Sequence, residues 1–206
     1  ENTSTIQLQD LDGDGERETA VTFLRLPGAE KPIKICFFTR HGEDEFRFSG
    51  MIEGEGAAVY RVDFADLNNQ GLKETVVSWQ LGTGVYQLGV YTLDGLNAPE
   101  YEDDELTPPP AAMFDPSSAA ANQLLLTTYN RYALLDLDRD TRIEVALARL
   151  DPGGNGSVLE VYGWSNGAIS MLNSVSLSAG MSSIDSMQSS FVADSLLTPA
   201  LYVCST

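Results

Sequence analysis

Three nine-residue segments of this chain lie over one another without a gap: DLDGDGERE at 10–18, DLNNQGLKE at 66–74 and DLDRDTRIE at 136–144. Each opens on Asp-Leu and closes on Glu. Each follows an apolar or mixed run (TIQLQ, YRVDFA, RYALL) and leads into a β-rich one (TAVTFL, TVVSWQL, VALARL). The leading aspartates stand 56 and 70 residues apart. A repeat of this length constrains the fold more than any local propensity, because one supersecondary unit must recur and bury its faces against its neighbours.

The repeat extends beyond the loops. A turn follows each β-rich run: Pro27-Gly28, Gly82-Thr83-Gly84, and Asp151-Pro152-Gly153-Gly154. A second β-rich run comes next (PIKICFF, VYQLGVY, SVLEVYGW), then a turn glycine at Gly42, Gly95 and Gly167. Alternating or β-branched runs bounded by Gly, Pro, Asn and Asp read as strands. Each unit therefore holds about four antiparallel strands, the size of a propeller blade. The C-terminal FVADSLLTPALYVCS reads as a degenerate fourth copy that starts near Asp194. Residues 1–206 read as one all-β domain of propeller-like blades, a small propeller or part of one. Its open ends would leave strand edges free for self-association. Two features interrupt the pattern. Residues 96–121 read as a solvated acidic and Pro-rich insertion, with a recognition loop as the sharper alternative. Within and beyond it, DPSSAAANQLL at 115–125 reads as a short helix capped by Asp115.

The spacing of acids in the loops is what hard cations need. Ca2+ takes several oxygen ligands at once. Asp10, Asp12 and Asp14 alternate, Gly15 permits a sharp turn, and Glu18 closes the shell, with the Glu16 carbonyl as a further ligand. Four carboxylates packed so closely repel one another unless a cation joins them. An EF-hand is excluded: its twelfth position would be Val21, and no helices flank the loop. The third loop keeps Asp136, Asp138, Asp140 and Glu144, with the Arg142 carbonyl in the place of that of Glu16. Thr141 stands there for the turn glycine. A β-branched residue dislikes positive φ, so that loop should differ in backbone or bind less well. The second loop keeps Asp66, Glu74 and Gly71 but has Asn68 and Gln70 between them, and should bind more weakly.

D-x-D-x-D-G-x-x-[DE] before a strand, repeated at blade spacing, resembles the FG-GAP/VCBS-type repeat of integrin α-subunit propellers and bacterial surface proteins. The resemblance covers residues 5–95 and 130–167. It implies blades whose loops hold structural Ca2+, in a secreted, surface or lipid-anchored bacterial protein. The registered Asp-loop repeat, with no catalytic constellation beside it, points to a non-enzymatic binding, adhesion or scaffold role toward a surface protein or glycan. The family's Phe-Gly and Gly-Ala-Pro signatures do not occur here.

Charge and composition bound the alternatives. Twelve Lys/Arg against thirty Asp/Glu give −18, which argues against nucleic acid and against an electrostatic hold on anionic membranes. No apolar run approaches the roughly 20 residues of a membrane span. The chain starts Glu1-Asn2-Thr3, as expected of a processed or trimmed protein. Cys36 and Cys204 read as buried strand residues, bridged only if their strands are neighbours. No catalytic constellation emerges. The one histidine, His41, falls at a turn and makes a poor triad member. Paired carboxylates acting on a polysaccharide are one rival reading, and a plain envelope spacer is another. Trp79, Trp164, Tyr86, Tyr91 and Tyr162 could stack on sugars, but at strand positions they are expected to pack blades.

Overall fold

The structure, a computed structural model, describes residues 6–43, 45–93, 122–150, 156–177, 181, 183–191 and 199–204. All regular elements among them are strands. Sheet one holds β1 (Ile6–Gln9), β2 (Thr19–Arg25), β3 (Ile33–His41) and β4 (Glu45–Gly54). Sheet two holds β5 (Ala58–Ala65), β6 (Glu74–Gly82), β7 (Val85–Thr92) and β8 (Asn122–Tyr129). Sheet three holds β9 (Arg131–Leu135), β10 (Glu144–Leu150), β11 (Ser157–Ser165) and β12 (Ala168–Ser176). In each sheet the strands pair antiparallel in chain order. The Asp loops are the connections from first to second strand.

β13 (Ser186–Phe191) and β14 (Pro199–Cys204) form an antiparallel hairpin, and β13 lies beside β9. The hairpin matches the first two strands of a fourth blade. Asp194, the insertion 96–121, Gly95 and the turn 151–154 lie outside the described residues.

Two expectations are corrected. The helix expected over 115–125 is not formed where the chain is described: Asn122–Leu125 opens β8, whose pairing with β7 satisfies its backbone. The cysteines are not both buried. Cys36 is half-buried in β3, Cys204 is exposed in β14, and both are free. His41 is the exposed last residue of β3.

The sheets pack face to face, and the core lies in the two seams between them. Val21, Ile35, Phe37 and Ile52 of sheet one meet Val77, Trp79 and Tyr91 of sheet two. Val76, Leu88, Val90 and Tyr129 on the opposite face of sheet two meet Val145 and Leu147 of sheet three. Sheet two is thus covered on both sides, and all six residues from Glu74 to Trp79 are buried. That explains why the apolar residues of β6, Val76, Val77 and Trp79, fall on both faces of the strand rather than alternating. The end sheets leave apolar side chains exposed among the described residues. Ile6, Leu8 and Leu24 remain exposed on sheet one, as do Met171, Leu172 and Val175 on β12. The first seam closes tightly around Trp79, while a cleft of about 560 Å3 opens beside it between β2, β3 and β5. A Cβ at Gly54 would stand 2.5 Å from the Trp79 ring, so only glycine lets the indole lie against β4.

Sheet one departs from the other two by one residue of register. Ala65 stands opposite Glu74 and Leu135 opposite Glu144, but Gln9 stands opposite Thr19 rather than Glu18. A one-residue slip exchanges the two faces of a strand. Aligned by sequence, Val21 matches Val77, which faces sheet one. The slip instead gives Val21 the role of Val76, facing the following sheet.

Candidate metal centre

The loops share one backbone. The first Asp accepts, through Oδ2, the N–H of the residue five positions on: Gly15 at 3.3 Å, Gly71 at 2.8 Å and Thr141 at 3.1 Å. The closing Glu accepts the N–H of the leucine at the second position: Leu11 at 3.4 Å, Leu67 at 2.8 Å and Leu137 at 2.7 Å. Asp and Asn side chains that bind their own backbone in this way stabilise turns. The Asp-Leu pair is thereby explained. Asp folds the loop, while Leu11 and Leu67 are buried in the two seams.

Positive φ recurs at the fourth and sixth positions: Gly13 and Gly15, Asn69 and Gly71, Arg139 and Thr141. Thr141 takes φ 76° where Gly15 and Gly71 take 93°. Of the two outcomes expected for loop three, a different backbone is therefore not the one adopted. The threonine follows the same path and bears the strain, of order 1–3 kcal/mol for such a residue.

In loop one, Asp10, Asp12, Asp14 and Glu18 each bring a carboxylate oxygen within 4.8 Å of the others. In loop three, Asp136, Asp138 and Glu144 do the same. Asp140 stands apart from that group. Its Oδ1 accepts the Arg142 N–H at 2.8 Å, and its Oδ2 lies 3.9 Å from Arg142 Nε. The Glu16 N–H similarly donates to Asp14 at 2.7 Å, and its side chain pairs with Arg40 at 2.7 Å. The backbone thus holds residues 16 and 142 at corresponding places beside the third Asp.

Loop two is satisfied from within. Asp66 accepts from Gln70 N–H at 3.1 Å and from Gly71 N–H. Asn68 accepts the Gln70 N–H at 2.9 Å through Oδ1 and donates through Nδ2 to Glu74 Oε1 at 2.6 Å. Every carboxylate oxygen of Asp66 and Glu74 has a donor. An aspartate at the third position cannot donate, which in loop one leaves the closing Glu without the donor that Asn68 supplies; the bare oxygen in loop three lies on the first Asp, where loop two has the Gln70 N–H. Glu18 Oε2 and Asp136 Oδ1 are buried with no hydrogen-bond partner. A buried carboxylate oxygen left bare is costly, and a cation within these clusters would satisfy it. The acidic clusters can therefore hold a metal ion, and their donor set is oxygen throughout.

The electrostatics differ between loops. Desolvation pushes the Asp10 carboxyl up, but the Gly13 amide, Lys73 and the Gly15 amide outweigh it and hold the group below its ordinary range. Lys73 comes from the neighbouring loop. Its Nζ donates to the Asp10 carbonyl at 2.7 Å and lies 3.5 Å from Asp10 Oδ2. Glu144 is raised, by desolvation first, against the Leu137 amide, and further by Asp138, Asp140 and Asp136. Desolvation also raises Glu74, offset in part by the Leu67 amide.

Sequence reasoning did not identify Lys73 or the donor role of Asn68. Lys73 lies 63 positions along the chain from its partner, with no local signal. Asn68 carried one, since it is the third-position residue able to donate. No protein-family model matches the chain, and no curated protein matches it.

Proposed function

We propose that this chain is a non-enzymatic, extracytoplasmic β-repeat domain of the FG-GAP/VCBS kind, in which loops one and three hold structural Ca2+. The observation that carries the reading is the convergence of Asp10, Asp12, Asp14 and Glu18 within 4.8 Å around the bare Glu18 Oε2. Ca2+ suits the site better than Mg2+, because an all-protein oxygen set with several carboxylates matches its coordination, while Mg2+ retains waters. The ions rigidify the connections from which each blade's second strand starts, and the blades then present a binding surface to a surface protein or glycan.

Calorimetric titration of chelator-treated protein tests the metal. The expected outcome is two Ca2+ per chain, with a heat that equimolar Mg2+ does not reproduce. No heat, joined to no thermal stabilisation at about millimolar Ca2+, rejects the reading, since a ligand of the folded state must raise stability.

A further inference from the structure

The two seams between sheets differ at one point. Trp79 follows Glu74 by five residues, and Arg149 follows Glu144 by five, so they hold the same position in β6 and β10. Their neighbours on the third strand correspond as well, Gly89 opposite Val77 and Glu160 opposite Leu147. In the first seam, Trp79 is buried and donates through Nε1 to the Tyr91 hydroxyl at 3.0 Å. In the second seam that place is taken by the ion pair Arg149–Glu160. The seam does not close over it. A cleft of about 800 Å3 opens there, with Tyr86, Tyr129, Asn130, Arg149, Ser157 and Glu160 in its lining. It lies at the rim opposite the Asp loops.

Replacing a partly buried ion pair by well-packed apolar side chains is often neutral or stabilising, and the first seam shows that the fold can supply those. The pair is also incompletely satisfied. Arg149 Nε and Ser157 Oγ are buried without a hydrogen-bond partner. Glu160 receives one donor on each oxygen, from Arg149 and from the Tyr162 hydroxyl at 3.0 Å, and each oxygen keeps a lone pair. Unpaired polar atoms in a roomy cleft call for a ligand that carries both donors and acceptors.

We infer that this cleft binds a neutral polyhydroxylated ligand, a saccharide of one or two residues. The inference rests on the reading of the chain as a binding domain and assigns its site and ligand class. Three features select the class. Arg149 and Glu160 neutralise each other, so the cleft offers no net charge to attract an ion. The tyrosine rings of β7 and β8 supply apolar surface for the C–H face of a sugar. The cleft volume falls in the range of small-molecule sites.

The test uses the full chain with Ca2+ and saturation-transfer NMR against a panel of neutral mono- and disaccharides, with citrate and spermine as charged controls. At least one neutral saccharide should bind, and binding should weaken about tenfold in Arg149→Lys, which keeps the charge and removes the Nε–H. Ser157→Ala removes a hydroxyl that holds nothing in the fold, so it should weaken binding without lowering Tm. The inference is overturned if no neutral saccharide binds at about 10 mM, if citrate or spermine binds better, or if neither variant changes binding. Calcium titration on the same sample separates the readings. Calcium uptake without saccharide binding removes the cleft alone. Saccharide binding without calcium uptake removes the metal alone. Release of reducing ends would sustain the cleft as a sugar site and reject the non-enzymatic role.

Discussion

Loop two and loops one and three have the same length, the same positive-φ positions, and the same pair of bonds from the sixth-position N–H to the first Asp and from the Leu N–H to the closing Glu. They differ in what fills the space between those acids. Loop two uses Asn68, whose amide reaches Glu74. Loops one and three have Asp12 and Asp138 there, and leave a buried oxygen bare on Glu18 or Asp136. The comparison separates two functions of one motif. The first Asp, the second-position Leu and the closing Glu fold the loop and need no metal. Between loops one and two, the third-position residue decides whether the closing Glu is met by a hydrogen bond or left for a cation.

The largest expected effect comes from calcium itself. At 100-fold excess over Kd each site adds about 2.7 kcal/mol, so two sites should raise Tm by about 10 °C or more for a chain of this size. Thermal melts with Ca2+ and with chelator measure it, and equal melts would erase the distinction between the loops. Asn68→Asp comes next. It removes the donor to buried Glu74 and should cost the chelated protein about 1–3 kcal/mol, while raising calcium stoichiometry by one. The reciprocal change, Asp12→Asn, should stabilise the chelated protein by about 1 kcal/mol and lower the stoichiometry by one. Urea melts and calorimetry read both, and an unchanged stoichiometry in the pair would break the comparison. Thr141→Gly should stabilise the protein by about 1 kcal/mol by relieving the positive φ, with calcium uptake unchanged.

The smallest effect is that of pH, and its sign reverses with metal. Glu74 and Glu144 have folded pKa values above their ordinary ones. The folded chelated protein therefore gains stability as pH falls from 7 toward their folded pKa values. Asp10 is shifted the other way. Its contribution is present above its unfolded pKa and is lost only as pH falls through its lower folded value. Tm of the chelated protein should thus rise modestly between pH 7 and about 5. With Ca2+ it should fall over the same interval, because protons compete with the ion for Glu144. Parallel pH trends in the two states would place the ion elsewhere.

The loops and most strands were legible because their causes are local. Alternating Asp, a turn residue and a closing Glu must lie close together in the chain to enclose one point, and strand alternation is visible over five to nine residues. What could not be read depends on contacts across the chain. The register slip in sheet one is invisible in DLDGDGERE, which matches its two counterparts residue for residue in length. It is fixed by which face of β2 must bury Val21 against Trp79 and Val77. Asn122–Leu125 carries residues fit for a helix and becomes strand because the edge of β7 needs a partner. Arg149 and Glu160 look like ordinary surface charges until the pairing of β10 with β11 sets them side by side.

In every sheet the connections from first to second strand leave by one rim and the turns from second to third strand by the other. Eleven of the thirty acids sit in the three loops, all at the first rim. With Arg17, Lys73, Arg139 and Arg142 among them, the three loops carry a net charge of −7, and the proposed saccharide cleft lies at the opposite rim. Near an anionic surface a more acidic loop rim would be repelled, which would turn the opposite rim toward that surface. Two bound Ca2+ would reduce the formal charge from −18 to −14, all of it at the loop rim. The metal would then tune how strongly the molecule is oriented as well as how rigid its loops are.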